Sequence, residues 1–250
     1  MKGRVAFPDF VRSCGLQALA ALRIPGGPLR VIDEWATLRA LRERGASLAR
    51  YGDGELEIML GHDIYFQEYD PQLARRLRQI LRAASEKFLV GIPNFPALQI
   101  KTSARRRNWK RYRCMFSHLV RRGAEYHSAF VSRPGGIAGL ESAEYFRTFE
   151  SLWAGRDVVL VHNSADTAGH PLLRQARSIR HVPCPAQQAF RQYPALFAQA
   201  AAFLNTPGVL YLIAAGPTAG VLAWDLAQRG AQALDIGHLT NACDEFLKKP

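Results

Sequence analysis

The chain has 250 residues, with 33 Lys and Arg against 21 Asp and Glu, a formal charge of +12 and a pI near 10.0. Its 48% hydrophobic content excludes global disorder, and the length suits one large domain or two small ones. The positive balance calls for an anionic partner, whether nucleic acid, an acidic membrane face or a phosphorylated substrate, and does not choose among them.

Cys14, Cys114, Cys184 and Cys243 are scattered, with no CxxC pair and no finger-like histidine spacing. That pattern fits reduced thiols in a cytoplasmic protein better than a zinc site or disulfide framework. No run reaches the length of a membrane span, and Pro8, Asp9 and Arg12 interrupt any export-signal core that would follow Lys2 and Arg4. Residues 1–30 read as a basic amphipathic extension whose helix carries Phe10, Cys14 and Leu22. Packing of that helix on its own domain is the expected arrangement, and docking at the inner membrane face is the minority alternative. The IPGGP stretch through Pro28 separates it from a domain over residues 31–250.

Asp33 caps an expected helix bearing Trp35, Leu38 and Leu41, closed by Gly45. Ser47 to Tyr51 reads as a short strand that delivers the chain to RYGDGEL, Arg50 to Leu56. There Asp53 and Glu55 flank a glycine, and Gly52 precedes them. Two carboxylates with little bulk around them can face one hard cation, which in turn holds a phosphate. The alternative is a helix start, with Asp53 as cap and Glu55 solvated on the first turn. Ile64 to Phe66 is a short extended piece. Asp70-Pro71 opens a helix carrying Leu73, Leu77, Ile80 and Leu81, and Phe88 to Ile92 is a strand covered on both faces.

Arg105 to Arg113, RRRNWKRYR, holds six basic residues in nine with Trp109 and Tyr112 between them. It reads as a nucleic-acid surface or as a helix with a solvated cationic side and a core side of Trp109, Tyr112, Met115, Phe116 and Leu119; the helical spacing favours the second. Ala129 to Val131 leads into a loop, Ser132 to Gly136, whose Arg133 is a candidate to face the site. A helix is expected from Ser142 to Trp153, strands over Asp157 to Val161 and Ser178 to Val182, and a long alanine-rich helix from Gln187 to Leu204. Val209 to Ala215 is the clearest buried strand, and it runs into Gly216-Pro217-Thr218 and a helix ended by Gly230. A strand, glycine turn and helix start can present backbone N–H groups to a phosphate, although an ordinary connection has the same form. Ala233 to Ile236 forms a last strand, placing Asp235 and His238 near its carboxyl end.

Alternating strands and helices predict a Rossmann-like α/β domain with a mostly parallel sheet flanked by helices, which binds ligands at the carboxyl ends of its strands. The motifs RYGDGEL, IYFQEYDPQLARRLRQIL, VSRP, WAGRDVVLV and LYLIAAGPTAGVLAWDLAQRGAQALDIGH, in this order over about Ser47 to His238, resemble the GT-D-fold glycosyltransferases. The resemblance implies a nucleoside-diphosphate sugar donor, a divalent metal (Mn²⁺ or Mg²⁺) and a bacterial surface glycan or glycoprotein acceptor. It puts the metal and diphosphate role on Asp53 and Glu55. His238 is a further candidate ligand, and Arg50, Gly52, Arg133, Gly216, Pro217 and Thr218 are candidates to bind the donor. Asp235, His238 and Glu141 are candidate bases. Two other readings stand beside this one: a basic nucleic-acid-binding protein, and a weakened partner subunit of a glycosylation complex, motivated by the segment Val161 to Leu173, which lacks the acidic, arginine-bearing stretch of the family. Homo-oligomer formation is left open.

Overall fold

The computed structural model describes residues 7–98 and 103–248. Lys2 and Arg4 lie outside the described residues, as do the side chains of Phe10, Arg105 and Arg106. The described residues form one eight-stranded sheet in which every named pairing is parallel. Its strands are β1 (Val31–Ile32), β2 (Ser47–Arg50), β3 (Phe88–Ile92), β4 (Tyr126–Ser128), β5 (Asp157–His162), β6 (Ser178–Pro183), β7 (Leu210–Ile213) and β8 (Gln232–Asp235). They lie in the order β1-β4-β3-β2-β8-β7-β5-β6. The helices are α1 (Phe7–Ala21), α2 (Glu34–Glu43), α3 (Asp53–Met59), α4 (Pro71–Leu81), α5 (Ser103–Leu119), α6 (Ala143–Glu150), α7 (Tyr193–Ala201), α8 (Pro217–Ala227) and α9 (Leu239–Leu247).

Strand side chains alternate between two cores, as the pleat requires. Leu48, Leu89, Val158, Leu160, Leu210, Leu212 and Leu234 pack with Leu38 and Leu41 of α2, Tyr145 and Phe149 of α6, Trp153, and Leu239 of α9. On the other face, Phe88, Val90 and Ile92 meet residues of α3, α4 and α5, while Val159, Val161, Tyr211 and Ile213 meet α7 and α8. Burial on both faces explains why β3, β5 and β7 are continuous apolar runs.

The two halves of the chain meet where β2 lies beside β8, in register through Leu48 and Leu234. From that seam β2 leads towards β3 on one side, while β8 is reached from β7 on the other. Open parallel sheets leave a crevice at the carboxyl ends of strands at such a reversal.

Several local expectations hold for the reasons that suggested them. Asp33 Oδ1 accepts from Ala36 N at 2.8 Å, and Asp70 Oδ1 accepts from Gln72 N at 2.7 Å and Leu73 N at 3.0 Å, with Pro71 opening α4. In α5, Met115 and Phe116 are buried, while Arg107, Lys110, Arg111 and Arg113 are exposed. Trp109 meets Phe95, Tyr112 and Phe130 at ring-centroid distances of 6.0, 5.6 and 6.1 Å, so the aromatics of the basic run face inward. The first helix, α1, lies along α5. Gly26 N donates to Ser117 Oγ at 2.9 Å, and Ile24 O accepts from the Cys114 thiol at 3.0 Å. No helix among the described residues is long and apolar enough to cross a membrane.

Other elements differ. The long helix over Gln187–Leu204 is the nine-residue α7, preceded by a 3₁₀ turn at Ala189–Gln192. Pro194 has no N–H to donate and sits in the first turn, so the helix cannot extend a further turn back beyond Tyr193. Ile64 to Phe66 is a tight turn closed by an antiparallel bridge between Ile64 and Gln67 rather than a strand. The helix after Ser142 ends at Glu150, and Ala129–Ser132 and Pro134–Gly136 are 3₁₀ turns. β1, β4 and α9 are additional elements.

Candidate active site

Tyr51, wholly buried, fixes the turn between β2 and α3 by donating its hydroxyl to Leu77 O at 2.7 Å. The chain then enters α3 through Gly52, whose N–H donates to Glu55 Oε2 at 2.7 Å. Glu55 thus reaches back over the helix start, and its carboxyl lies partly buried over the seam. Asp53 is exposed, and its Oδ1 accepts from Gly54 N at 3.1 Å. Its charge also acts on Tyr112 of α5, so Asp53 marks the outer side of α3.

Across the seam, Asp235 ends β8 and is buried. Arg50, the last residue of β2, clamps it: Nη2 donates to Asp235 Oδ1 at 3.1 Å, Nε to Asp235 O at 2.9 Å and the backbone N to Oδ2 at 3.3 Å. Nη1 of Arg50 donates to Ala129 O at 3.1 Å, tying the β4 loop into the same cluster. Gly237 N completes the set at 3.0 Å from Asp235 Oδ1. Gly237 has φ +46°, and a Cβ there would stand 1.8 Å from Arg50 Nη2, so only glycine admits the guanidinium at this point.

The electrostatics follow from this packing. Burial, then the charge of Asp235, pushes the Glu55 carboxyl up to about 7. Burial also raises Asp235 above the ordinary carboxylate range, against the opposing pull of Arg50. Two carboxyls therefore share one guanidinium, and that guanidinium is bonded to Asp235. His238, at the start of α9, is lowered by desolvation and then by Arg133 and Arg50, which makes its imidazole neutral at neutral pH. The effect of Arg133 on His238 places the exposed Arg133 on the same side of the cleft. Glu141 lies against Gly135 of the same loop, where a Cβ would be 3.5 Å from its Oε1.

Gly216 caps α8 with φ +55° and is exposed, whereas Pro217 and Thr218 are buried. Thr218 Oγ1 has no hydrogen-bond partner among the described residues. The structure thus gathers Arg50, Glu55, Asp235, His238 and Arg133 electrostatically, with Asp53 on the outer rim and the Gly216 turn following β7. It does not collect Asp53, Glu55 and His238 into one ligand set. Among the described residues no three or more His, Cys, Asp or Glu side chains converge in a way that could hold an ion.

One supporting residue had no signal of its own. Glu34 reads as an ordinary first-turn acid next to the capping Asp33. In the fold it is buried, and its Oε1 accepts from Ser128 Oγ at 2.6 Å and from Asn94 Nδ2 at 3.3 Å. Ser128 in turn caps the turn that supplies Ala129 O to Arg50 and carries Arg133.

A parallel sheet with carboxyls, a guanidinium and a helix start near its strand ends is an open α/β architecture, in which ligands bind at the carboxyl ends of the strands. Within that class, the family model for the glycosyltransferase GT-D fold matches residues 48–250, and the chain belongs to this family. It is 35% identical over 261 positions to a probable glycosyl transferase Gly of Streptococcus gordonii, covering 98% of this chain and 37% of that protein. It is 33% identical over 217 positions to the glycosyltransferase GlyD of Streptococcus pneumoniae serotype 4, covering 83% of this chain and 26% of that protein. The chain therefore spans well under half the length of these relatives. A solved domain of unknown function 1792, described as having a distinct glycosyltransferase fold, superposes with a TM-score of 0.78 at 30% identity over 94% of this chain and 84% of that one. A glycosyltransferase of the same domain type from Streptococcus sanguinis gives 0.79 at 30% identity, over 88% and 85%.

Proposed function

We propose that the chain moves a sugar from a nucleoside-diphosphate sugar to a hydroxyl of a bacterial surface glycan or glycoprotein, with Mn²⁺ or Mg²⁺ held through Asp53, Glu55 or both. The observation that carries this reading is the charge imbalance at the β2–β8 seam. Arg50 is bonded to Asp235, and Glu55, 2.7 Å from Gly52 N, has no ion-pair partner among the described residues and titrates near 7. A desolvated carboxyl and an exposed one two residues before it on the same helix turn supply oxygen ligands of the kind that a hard divalent ion takes. With few protein ligands, such an ion takes its remaining positions from water and phosphate oxygens, as Mg²⁺ and Mn²⁺ do at nucleotide sites. When bound, the ion would supply positive charge opposite the departing diphosphate.

The chain's own groups do the rest. Arg50 acts as a positioning residue, keeping Asp235 and the Ala129 carbonyl in place. Its three side-chain bonds leave two of its five N–H groups for an anion. The exposed Gly216 turn offers backbone N–H groups and the start of α8 to the diphosphate, and Arg133 adds a guanidinium from the facing loop. An inverting transfer requires a base for the acceptor hydroxyl's proton. His238 suits that role because it is exposed and neutral, whereas Asp235 is already committed to Arg50 and Gly237.

The test is donor turnover and product mass across a panel of nucleotide sugars, with and without Mn²⁺, for the wild-type chain and for Asp53→Ala and Glu55→Ala. Metal-dependent turnover that both substitutions abolish, with folding retained, is the expected result. Full metal-independent activity in both variants would refute the metal assignment.

A further inference from the structure

The turn Ile64–Gln67 lies between the two loops that the proposed donor site uses. Phe66 borders the exposed Gly216 turn at the head of α8: a Cβ on Gly216 would come within 2.6 Å of Phe66 Cε2. Ile64 leans on the acid motif, its Cδ1 3.3 Å from where a Cβ on Gly54 would stand. Between these two anchored residues, Tyr65 is 92% exposed, more than any other exposed large hydrophobic side chain among the described residues.

The turn under Tyr65 is held from several directions. Ile64 and Gln67 exchange backbone hydrogen bonds at 2.9 and 3.2 Å, and Asp63 Oδ1 accepts from Tyr69 N at 2.8 Å. From the segment before α7, Gln188 N donates to Phe66 O at 2.8 Å, and Gln188 Oε1 accepts from Glu68 N at 3.0 Å. Phe190 N donates to Gln67 Oε1 at 3.3 Å. Gln188 adopts φ +55° to make these contacts, a left-handed conformation unfavourable for a residue with a Cβ. A scaffold this constrained fixes the backbone that carries Tyr65, while the ring itself stands open to solvent.

The geometry points to Tyr65 as a stacking platform for the nucleobase of the donor. This assignment rests on the donor reading above and extends it by one subsite. A nucleobase is tethered through its ribose to the diphosphate. An aromatic ring one residue from the side chain that borders the Gly216 turn is placed to meet the base while the phosphates sit at that turn. Stacking tolerates any base because every base presents a π face, so Tyr65 contributes affinity for the nucleoside and little choice among bases. The exposed phenol has no core role, so its removal leaves the fold intact.

The test compares Tyr65→Ala, Tyr65→Phe and wild type by calorimetric titration with UDP, dTDP, GDP and inorganic pyrophosphate in the presence of Mn²⁺. Thermal melts confirm that folding is unchanged. Tyr65→Ala is expected to weaken the tightest nucleoside diphosphate about tenfold, the lower range of what base–aromatic stacking contributes, and to leave pyrophosphate unchanged. Tyr65→Phe is expected to keep wild-type affinity. An equal loss for pyrophosphate and nucleoside diphosphate would overturn the assignment, because the residue would then shape the phosphate site. Unchanged nucleoside-diphosphate affinity with a raised KM for acceptor would also overturn it, moving Tyr65 to the acceptor side. If the wild-type chain bound none of the diphosphates, the donor reading would fall first and this assignment with it.

Discussion

Replacing Glu55 with Gln isolates the charge at the centre of the account. The amide oxygen of Gln can still accept from Gly52 N, so the turn into α3 keeps its closing hydrogen bond, while the unbalanced negative charge is removed. In the folded chain the Glu55 carboxyl titrates near 7, against an ordinary value of 4.5. A group raised in this way binds its proton more tightly folded than unfolded. Its stabilising effect is therefore present at low pH and is lost as pH rises from about 4.5 through 7. A shift of this size corresponds to about 3 kcal/mol once both states are ionised, at roughly 1.4 kcal/mol per unit. Glu55→Gln should therefore be more stable than wild type by up to about 3 kcal/mol near pH 8, and the difference should shrink below about 1 kcal/mol near pH 5. At about 2–4 °C per kcal/mol for a chain of this size, thermal melts should show a Tm rise of roughly 6–12 °C near pH 8. Mn²⁺ should stabilise the wild type under the same conditions and the variant less. Equal stability of the two proteins at both pH values would refute the claim that Glu55 is a desolvated carboxylate with too little opposing charge.

Two other substitutions probe the clamp and the base. Gly237→Ala places a methyl on Arg50 and forces an alanine into the left-handed region. It should destabilise by about 2–5 kcal/mol, read in urea unfolding, and an unchanged midpoint would mean that Arg50 is not pinned by Asp235 and Ala129. His238→Gln should lower kcat by about 10²–10⁴-fold. It should also remove the acidic limb of the wild-type pH–rate profile, a limb expected below the ordinary histidine range because the folded imidazole is lowered. Full activity with the same profile would exclude His238 as the base.

How much could be read in advance depended on whether a feature was local. Asp33, Asp70-Pro71 and the turn into α8 announce themselves within a few residues, because a cap or a proline acts on its own neighbours. The apolar runs of β3, β5 and β7 were legible because burial on both faces leaves no alternation to misread. β1 and β4 were not: one has two residues, and the other, Tyr-His-Ser, is held by Thr37 on His127 and Glu34 on Ser128, contacts 90 and 94 positions away in sequence. α9 begins without a side-chain cap at His238, so its start carries no signal. In the site, the motif at Asp53 and Glu55 suggested two acids facing one ion. The fold adds an electrostatic partner for Glu55 that the motif does not reveal, Asp235, which stands 180 positions later and is brought close by the β2–β8 seam. In the sequence Tyr65 is only part of a short extended piece, because exposure at a tertiary junction leaves no trace in local spacing.

The most direct measurement is a crystal structure of the chain with a nucleoside diphosphate and Mn²⁺, with the ion located by its anomalous scattering. The account predicts one Mn²⁺ peak coordinated by Glu55, Asp53 or both, with the diphosphate at the Gly216 turn. A nucleotide seated elsewhere would contradict it, for example in the hollow at the amino-terminal ends of β5 and β6 lined by Asp157, Ser178, Arg180, Phe203 and Thr206.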